Sequence, residues 1–113
     1  MKVKHVIRPR AKDDIIRPFR YYLLQDALEA ATRFLDAVDD TIDAICKMPH
    51  LGILKPISNL SLAGLRFVPV NGFEDVLIFY TVQPNAVRIA RVLHGRRDIQ
   101  RILEREQDTA PKI

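Results

Sequence analysis

Apolar positions in the central part of the chain recur at helical spacing. Six of them are separated by steps of three and four residues: Leu28, Ala31, Leu35, Val38, Ile42 and Ile45. This spacing places them on one face of a helix of about five turns, whose opposite face carries mainly aspartates. The spacing of Asp26-Ala27-Leu28-Glu29 is that of a capping box, so we expect Asp26 to cap this helix. Met48-Pro49 is expected to end it.

The preceding segment, from Ala11 to Leu24, shows the same kind of pattern. Its apolar face is predicted to contain Ile15, Phe19, Tyr22 and Leu23. Pro18 removes a backbone hydrogen bond inside this helix, so either the helix kinks there, which we prefer, or it begins near Arg17 with Pro18 in its first turn. Since only a short link at Gln25-Asp26 separates the two patterns, residues 11–48 are predicted to form an antiparallel helical hairpin.

Strand patterns lie on both sides of this hairpin. The first falls within residues 1–10, and three more form a predicted meander over residues 64–94, with a turn at Asn71-Gly72. Pro69 favours a bulge or an edge position for the strand that contains it. The run from Val76 to Tyr80 is apolar on both faces, which predicts a central strand covered on both sides.

The order of these elements predicts the fold class. An N-terminal strand, a helical hairpin, a three-strand meander and a short C-terminal helix over residues 97–106 indicate an α+β fold. The hairpin is expected to pack on one face of a mainly antiparallel four-stranded sheet, within a single domain spanning residues 1–113. Asp98 is the expected N-terminal cap of the last helix.

The charges along the chain are segregated. Residues 1–20 contain seven Lys or Arg against two Asp, whereas residues 21–50 contain two against six Asp or Glu. With a net charge of +4, the chain is suited to nucleic acid or to an acidic protein partner, or merely to remaining soluble.

Several classes of site and location are disfavoured by composition. Cys46 is the single cysteine, and His5, His50 and His94 are widely separated, so we expect no disulfide, no metal site and no cofactor. The basic N-terminus lacks the apolar stretch of a signal peptide, and no apolar run is long enough to span a bilayer. We therefore expect a soluble, cytoplasmic protein.

Candidate chemistry lies in the last strand and the strands beside it. Cleaving RNA without a metal requires a base, a cation near the phosphate and an acid. The side chains that could supply these roles are Arg66, Tyr80, Arg88, Arg91 and His94. Strict alternation places Arg91 and His94 on opposite faces, and it places Arg88 and His94 on one face but about 20 Å apart. That distance is too great for joint chemistry on one phosphate.

Structural roles compete with catalytic ones at these positions. Arg91 could pair with Asp98 or Glu74 on the core side of the sheet, and Tyr80 could belong to the core. His94 is more often a packed or capping side chain than a catalyst at a strand end. Glu74 and Asp75 would repel a scissile phosphate nearby.

Several segments together resemble a known family. The strongest is Arg91 to Ile99, with support from Arg10 to Ile15, Met48 to Gly52, Gly64 to Arg66 and Gly72 to Tyr80. In this order they resemble the RelE/ParE superfamily of toxins from bacterial type II toxin–antitoxin modules, and within it the ParE branch most closely. The resemblance extends over nearly the whole chain.

The ParE resemblance implies a non-enzymatic toxin that inhibits DNA gyrase by binding. A ParD-like antitoxin would neutralise it, through a partly disordered acidic segment, and the toxin itself would not bind specific DNA sequences. The residues expected to contact the target or the antitoxin are Arg66, Arg88, Arg91, His94, Arg96 and Arg97.

Two alternatives remain within the superfamily. One is a RelE-like, ribosome-dependent mRNA endoribonuclease, with Arg66, Arg91 and His94 as its catalytic residues. The RelE pattern has a basic residue where this chain has Glu74-Asp75. It also has a tyrosine or a comparable proton donor after the last strand, where this chain has no aromatic residue. The other alternative is an inert homologue that only binds its antitoxin.

Overall fold

The computed structural model describes residues 2–106, which form an α+β fold. The elements in chain order are β1 (Lys4–Ile7), α1 (Pro9–Leu24), α2 (Leu28–Lys47), β2 (Ile53–Leu54), a 3₁₀ turn (Leu60–Leu62), β3 (Arg66–Val70), β4 (Phe73–Val82), β5 (Ala86–His94) and α3 (Ile99–Glu104). The predicted fold class is therefore confirmed. None of the helices in this part of the chain is both long and apolar enough to cross a membrane.

The sheet contains five strands in the order β1-β5-β4-β3-β2. The meander is antiparallel throughout, whereas β1 pairs in parallel with β5. The fifth strand, β2, consists of only two residues that pair with β3, and it was not predicted because two residues carry no periodicity. β4 occupies the centre, as its continuous apolar run predicted.

The helical hairpin is confirmed, but its ends differ from the expected ones. α1 begins at Pro9, where proline has no backbone hydrogen bond to lose, and it continues through Pro18. Asp26 does not cap α2: its φ is 58°, and Ala27 occupies the capping position without a side-chain hydrogen bond. The tight turn takes Asp26 into a left-handed conformation and away from the helix that follows.

The apolar stripe of α2 is buried along most of its length. Ala31, Val38, Ile42 and Ile45 are inaccessible or nearly so, and Phe34 joins them in the core. Leu28, the first residue of the helix, is by contrast 66% exposed. In α1, the predicted core residue Leu23 is likewise exposed.

Both faces of the sheet are covered. The helical hairpin packs on one face around Phe34, Ile78, Tyr80 and Val92. The opposite face is covered by a smaller cluster: Leu62, Leu65, Phe79, Ala90, Leu93 and Leu103. The 3₁₀ turn and α3 therefore complete the second layer.

A β-bulge interrupts the regular alternation of β5. Phe79 pairs with Arg91 while the next residue, Tyr80, pairs with Ile89, so Ala90 is the extra residue. Beyond this point the two faces exchange, and Val92 rather than Leu93 packs toward the helices. The alternation predicted for the second half of this strand was therefore wrong. The bulge predicted at Pro69 is confirmed by a register shift at Pro69/Val70.

Candidate functional site

Arg91 lies in a buried ion-pair cluster that links three parts of the fold. Its Nε and Nη2 atoms donate to the two Asp14 carboxylate oxygens at 2.7 and 2.9 Å, and its Nη1 donates to Glu106 at 2.8 Å. Asp14 also accepts the Val92 N–H at 3.0 Å. Because β1 pairs with β5 only as far as Ile89, Asp14 satisfies a backbone donor on the part of the strand edge that β1 leaves open.

This arrangement corrects two expectations about Arg91. Its partners are Asp14 and Glu106, not Asp98 or Glu74. The Asp14 hydrogen bonds are the largest cause of a raised Arg91 pKa, and the Glu106 bond adds to them against the opposing effect of burial. With its side chain only 7% exposed and its guanidinium engaged on two sides, Arg91 is not accessible to a partner or a phosphate. It holds α1, β5 and the segment after α3 together.

Tyr80 and Arg66 form a second structural network. The Tyr80 hydroxyl donates to the Pro49 carbonyl at 2.9 Å and accepts the Gly52 N–H at 2.8 Å. Arg66 Nη1 donates to the Gly52 carbonyl at 2.7 Å. Burial raises the pKa of Tyr80, although the Gly52 hydrogen bond and nearby Arg66 oppose the rise. The network fastens the loop after α2 to the sheet, and Tyr80 is a core residue rather than a free acid.

The end of β5 presents the accessible basic group predicted from the sequence. Arg96 and Arg97 are exposed, whereas His94 is half-buried. His94 Nδ1 accepts the Arg96 N–H at 3.2 Å, and its carbonyl accepts the Arg97 N–H at 3.0 Å. Asp98 caps α3 through a 3.3 Å hydrogen bond from the Arg101 N–H, as predicted.

The structure brings Arg66 beside Tyr80 but does not bring Arg88 and His94 together. Arg88 pairs across the sheet with Thr81, and His94 pairs with Val76, which packs toward the helices. Because of the bulge at Ala90, Arg88 and His94 lie on opposite faces rather than on one face. Arg88 itself is half-buried on the face away from the hairpin.

Among the cavities beside the helical hairpin, two combine residues of a helix and the sheet in a way that was not predicted. One, of about 440 Å³, is largely apolar and lies between α2 and β3, beside Leu51 and Ile53. The other, of about 230 Å³, lies between α1 and the end of β5 and has Arg17, His94 and Arg97 among its lining residues. Residues on α1 and β5 are far apart in sequence, so no local pattern indicates that they share a cavity. No cluster of three or more potential metal ligands occurs within residues 2–106.

The fold and the basic end of β5 define a small α+β protein with an accessible basic surface, and comparison with known proteins gives its family. The model of the ParE toxin of type II toxin–antitoxin systems, parDE, matches residues 6–99, so the chain belongs to the ParE toxin family. A solved chain from the chromosomal ParDE system of P. aeruginosa shares the fold, with a TM-score of 0.66. Its identity is 13%, and the match covers 82% of this chain and 96% of that one. No curated protein matches this sequence.

Proposed function

We propose that this chain is a toxin that inhibits DNA gyrase by binding and is neutralised by a ParD-like antitoxin. The observation that carries the proposal is the family match over residues 6–99, which includes both helices of the hairpin and nearly the whole sheet. Such a target is cytoplasmic, so the protein would act in the cytoplasm. It would do so without contacting a specific DNA sequence itself.

The state of the polar residues supports binding over catalysis. Arg91 is engaged by Asp14 and Glu106, and the Tyr80 hydroxyl uses both its proton and a lone pair within the fold. A ribonuclease needs a base and an acid placed around one phosphate. The accessible groups that share a cavity with His94 include Glu74 and Asp75, whose exposed carboxylates would repel a substrate phosphate.

The apolar surface supports an antitoxin partner. Tyr21, Leu24 and Leu28 at the tip of the hairpin are 60%, 78% and 66% exposed. Ile53 on the edge strand β2 is 65% exposed. Large exposed apolar side chains in a small protein are typical of surfaces that a partner covers, and an extended segment could also pair with a sheet edge.

A supercoiling assay tests the target. Purified protein added to DNA gyrase and relaxed plasmid is expected to reduce supercoiling, and the product of the neighbouring gene is expected to restore it. Unchanged supercoiling together with cleavage of ribosome-bound mRNA would instead establish the RelE-like ribonuclease. Normal growth of cells that express the chain alone would favour the inert homologue.

Co-purification tests the antitoxin. When the chain is tagged and expressed with its neighbouring gene, a stable complex containing both products is expected. A protein that is non-toxic and monodisperse when expressed alone, and that leaves the neighbouring product behind, would contradict this part of the proposal.

A further inference from the structure

The cavity of about 230 Å³ between α1 and the end of β5 combines an apolar interior with a basic rim. Phe34 and Val92, which are 1% and 4% exposed, form its interior together with Val76 and Tyr22. Such a partly enclosed cavity accommodates a side chain of moderate size, and its apolar lining favours an apolar group.

Its charge is positive because its one acidic residue is already neutralised. The Asp14 carboxylate accepts two hydrogen bonds from Arg91 and one from the Val92 backbone. Arg17 and Arg97, which also line the cavity, are exposed and have no side-chain partner within residues 2–106. Two guanidinium groups at the mouth of an apolar cavity are well suited to a carboxylate.

His94 adds a hydrogen-bond donor of fixed position. Its Nδ1 accepts the Arg96 N–H, so a neutral imidazole carries its proton on Nε2. His94 also lines a second cavity, of about 390 Å³, together with Glu74 and Asp75. These neighbouring carboxylates would repel a long polyanion such as RNA more than a single carboxylate, because each further negative charge adds to the repulsion.

We propose that this basic cavity is the anchor site for one acidic side chain of the antitoxin, held next to an apolar neighbour of that side chain. Arg17 and Arg97 bind the carboxylate, and the apolar interior receives the neighbouring side chain. The inference rests on the proposed neutralisation by an antitoxin. The inference adds to that neutralisation a location on the toxin and the chemistry by which the antitoxin side chain is recognised.

Binding kinetics with the purified antitoxin test the site. The double variant Arg17→Ala/Arg97→Ala is expected to raise the Kd by about 10- to 100-fold, mainly through faster dissociation, because charge-assisted hydrogen bonds in a partly enclosed site are lost. The matched control is Arg20→Ala/Arg101→Ala, which removes the same charge from exposed positions that do not line the cavity. The control is expected to affect mainly the association rate. Thermal unfolding of both variants checks that they are folded.

A double-mutant cycle identifies the occupant. Each Asp or Glu of the antitoxin is changed to its amide and measured against wild-type toxin and against Arg17→Ala/Arg97→Ala. At one antitoxin position, the substitution is expected to change the Kd for wild-type toxin but not for the Arg17→Ala/Arg97→Ala variant. At the other positions, the effects of the antitoxin and toxin substitutions on the binding free energy are expected to be additive. Additivity at every position, or equal Kd values for the cavity and control variants, would overturn the anchor site while leaving neutralisation intact.

Two further outcomes distinguish failure of the proposed neutralisation from failure of the anchor site. Wild-type toxin that does not bind the antitoxin would overturn the proposed neutralisation and this inference with it. A cavity variant that binds antitoxin normally but loses affinity for a single-stranded RNA oligonucleotide would show that the cavity serves a nucleic acid.

Discussion

Arg91 illustrates why a charged residue occupies a predominantly apolar strand. The open edge of β5 leaves the Val92 N–H without a strand partner, and Asp14 on α1 accepts it. A buried carboxylate is costly without a counter-ion, and the guanidinium supplies one through two parallel hydrogen bonds. Glu106 accepts a hydrogen bond from Arg91 Nη1, and its carboxylate also lies 3.8 Å from the guanidinium groups of Arg8 and Arg10. The buried members of the cluster, Arg8, Asp14, Arg91 and Glu106, therefore carry two positive and two negative charges.

Substitution of Arg91 should therefore destabilise the protein strongly. Arg91→Met leaves two buried carboxylates without their main partner, so we expect a loss of about 3–5 kcal/mol in the free energy of unfolding. Urea denaturation would measure this loss. Arg96→Met, at an exposed position in the same segment, is the control and should change stability by less than about 0.5 kcal/mol. Equal stabilities for the two variants would show that the cluster does not stabilise the fold.

Gly52 is required by close contacts rather than by its backbone conformation. A Cβ atom there would lie 2.6 Å from the Tyr80 hydroxyl oxygen and 2.9 Å from the Phe67 carbonyl oxygen. Both distances are shorter than van der Waals contact, and the Phe67 carbonyl belongs to the backbone of β3, which yields little. The loop after α2 therefore approaches the sheet closely only because this residue lacks a side chain.

Gly52→Ala is expected to lower the free energy of unfolding by about 1–3 kcal/mol, as overpacked sites do. Gly95→Ala is the matched control, since the Cβ there would meet its nearest neighbour, the Asp75 carbonyl oxygen, at 3.4 Å. Chemical denaturation of both variants measures the difference. If Gly95→Ala is as harmful as Gly52→Ala, close approach to Tyr80 is not the reason for glycine at position 52.

At the scale of elements, α1 contains a proline that the fold tolerates. Pro18 lies in the middle of the helix and lines the basic cavity, while Pro9 lies at its first turn. An interior proline removes one hydrogen bond and crowds the preceding turn, whereas a proline at the first turn does neither. The packing of α1 on β5 and α2 offsets this cost in the folded protein.

Pro18→Ala should consequently stabilise the protein by about 1–2 kcal/mol, a part of the usual penalty for an interior proline. Pro9→Ala should have little effect, because its position requires no backbone donor. Differential scanning calorimetry of the two variants provides the comparison. A lower Tm for Pro18→Ala would mean that packing of the proline ring beside the cavity outweighs the missing hydrogen bond.

At the scale of the whole molecule, the fold divides into a structural part and an accessible part. The Arg91 cluster and the Tyr80 network fasten α1, the loop after α2 and the segment after α3 to the sheet. The accessible part comprises the apolar hairpin tip and the basic end of β5. This division is consistent with a small protein that acts through its surface on larger partners.

Binding of the antitoxin should raise the thermal stability of the toxin. A partner that binds only the folded state at 100 times its Kd adds about 2.7 kcal/mol, which raises the Tm of a domain of this size by roughly 10 °C. Calorimetry of toxin with and without the neighbouring gene product measures this shift. Polyglutamate of matched charge is the control and should produce no such shift. An equal shift with polyglutamate would indicate charge neutralisation without a specific interface.

Much of this architecture could be inferred from local sequence. Residues close in sequence determine three of its features, through periodicity or turn chemistry: the apolar stripe of α2, the run from Val76 to Tyr80 and the turn at Asn71-Gly72. The cap at Asp98 is of the same kind, since it depends on a donor three residues away. The exposed arginines 96 and 97 were also found in this way.

Only the tertiary structure decided the rest. The partners of Arg91 lie 77 and 15 residues away, at Asp14 and Glu106, and the bulge at Ala90 that reverses the strand faces has no local signature. The basic cavity exists because α1 packs beside the end of β5, which places Arg17 and Arg97 around the same cavity. Hydrophobic periodicity therefore determined which elements form, whereas the long-range pairing of buried charges and strand edges determined which side chains remain available to a partner.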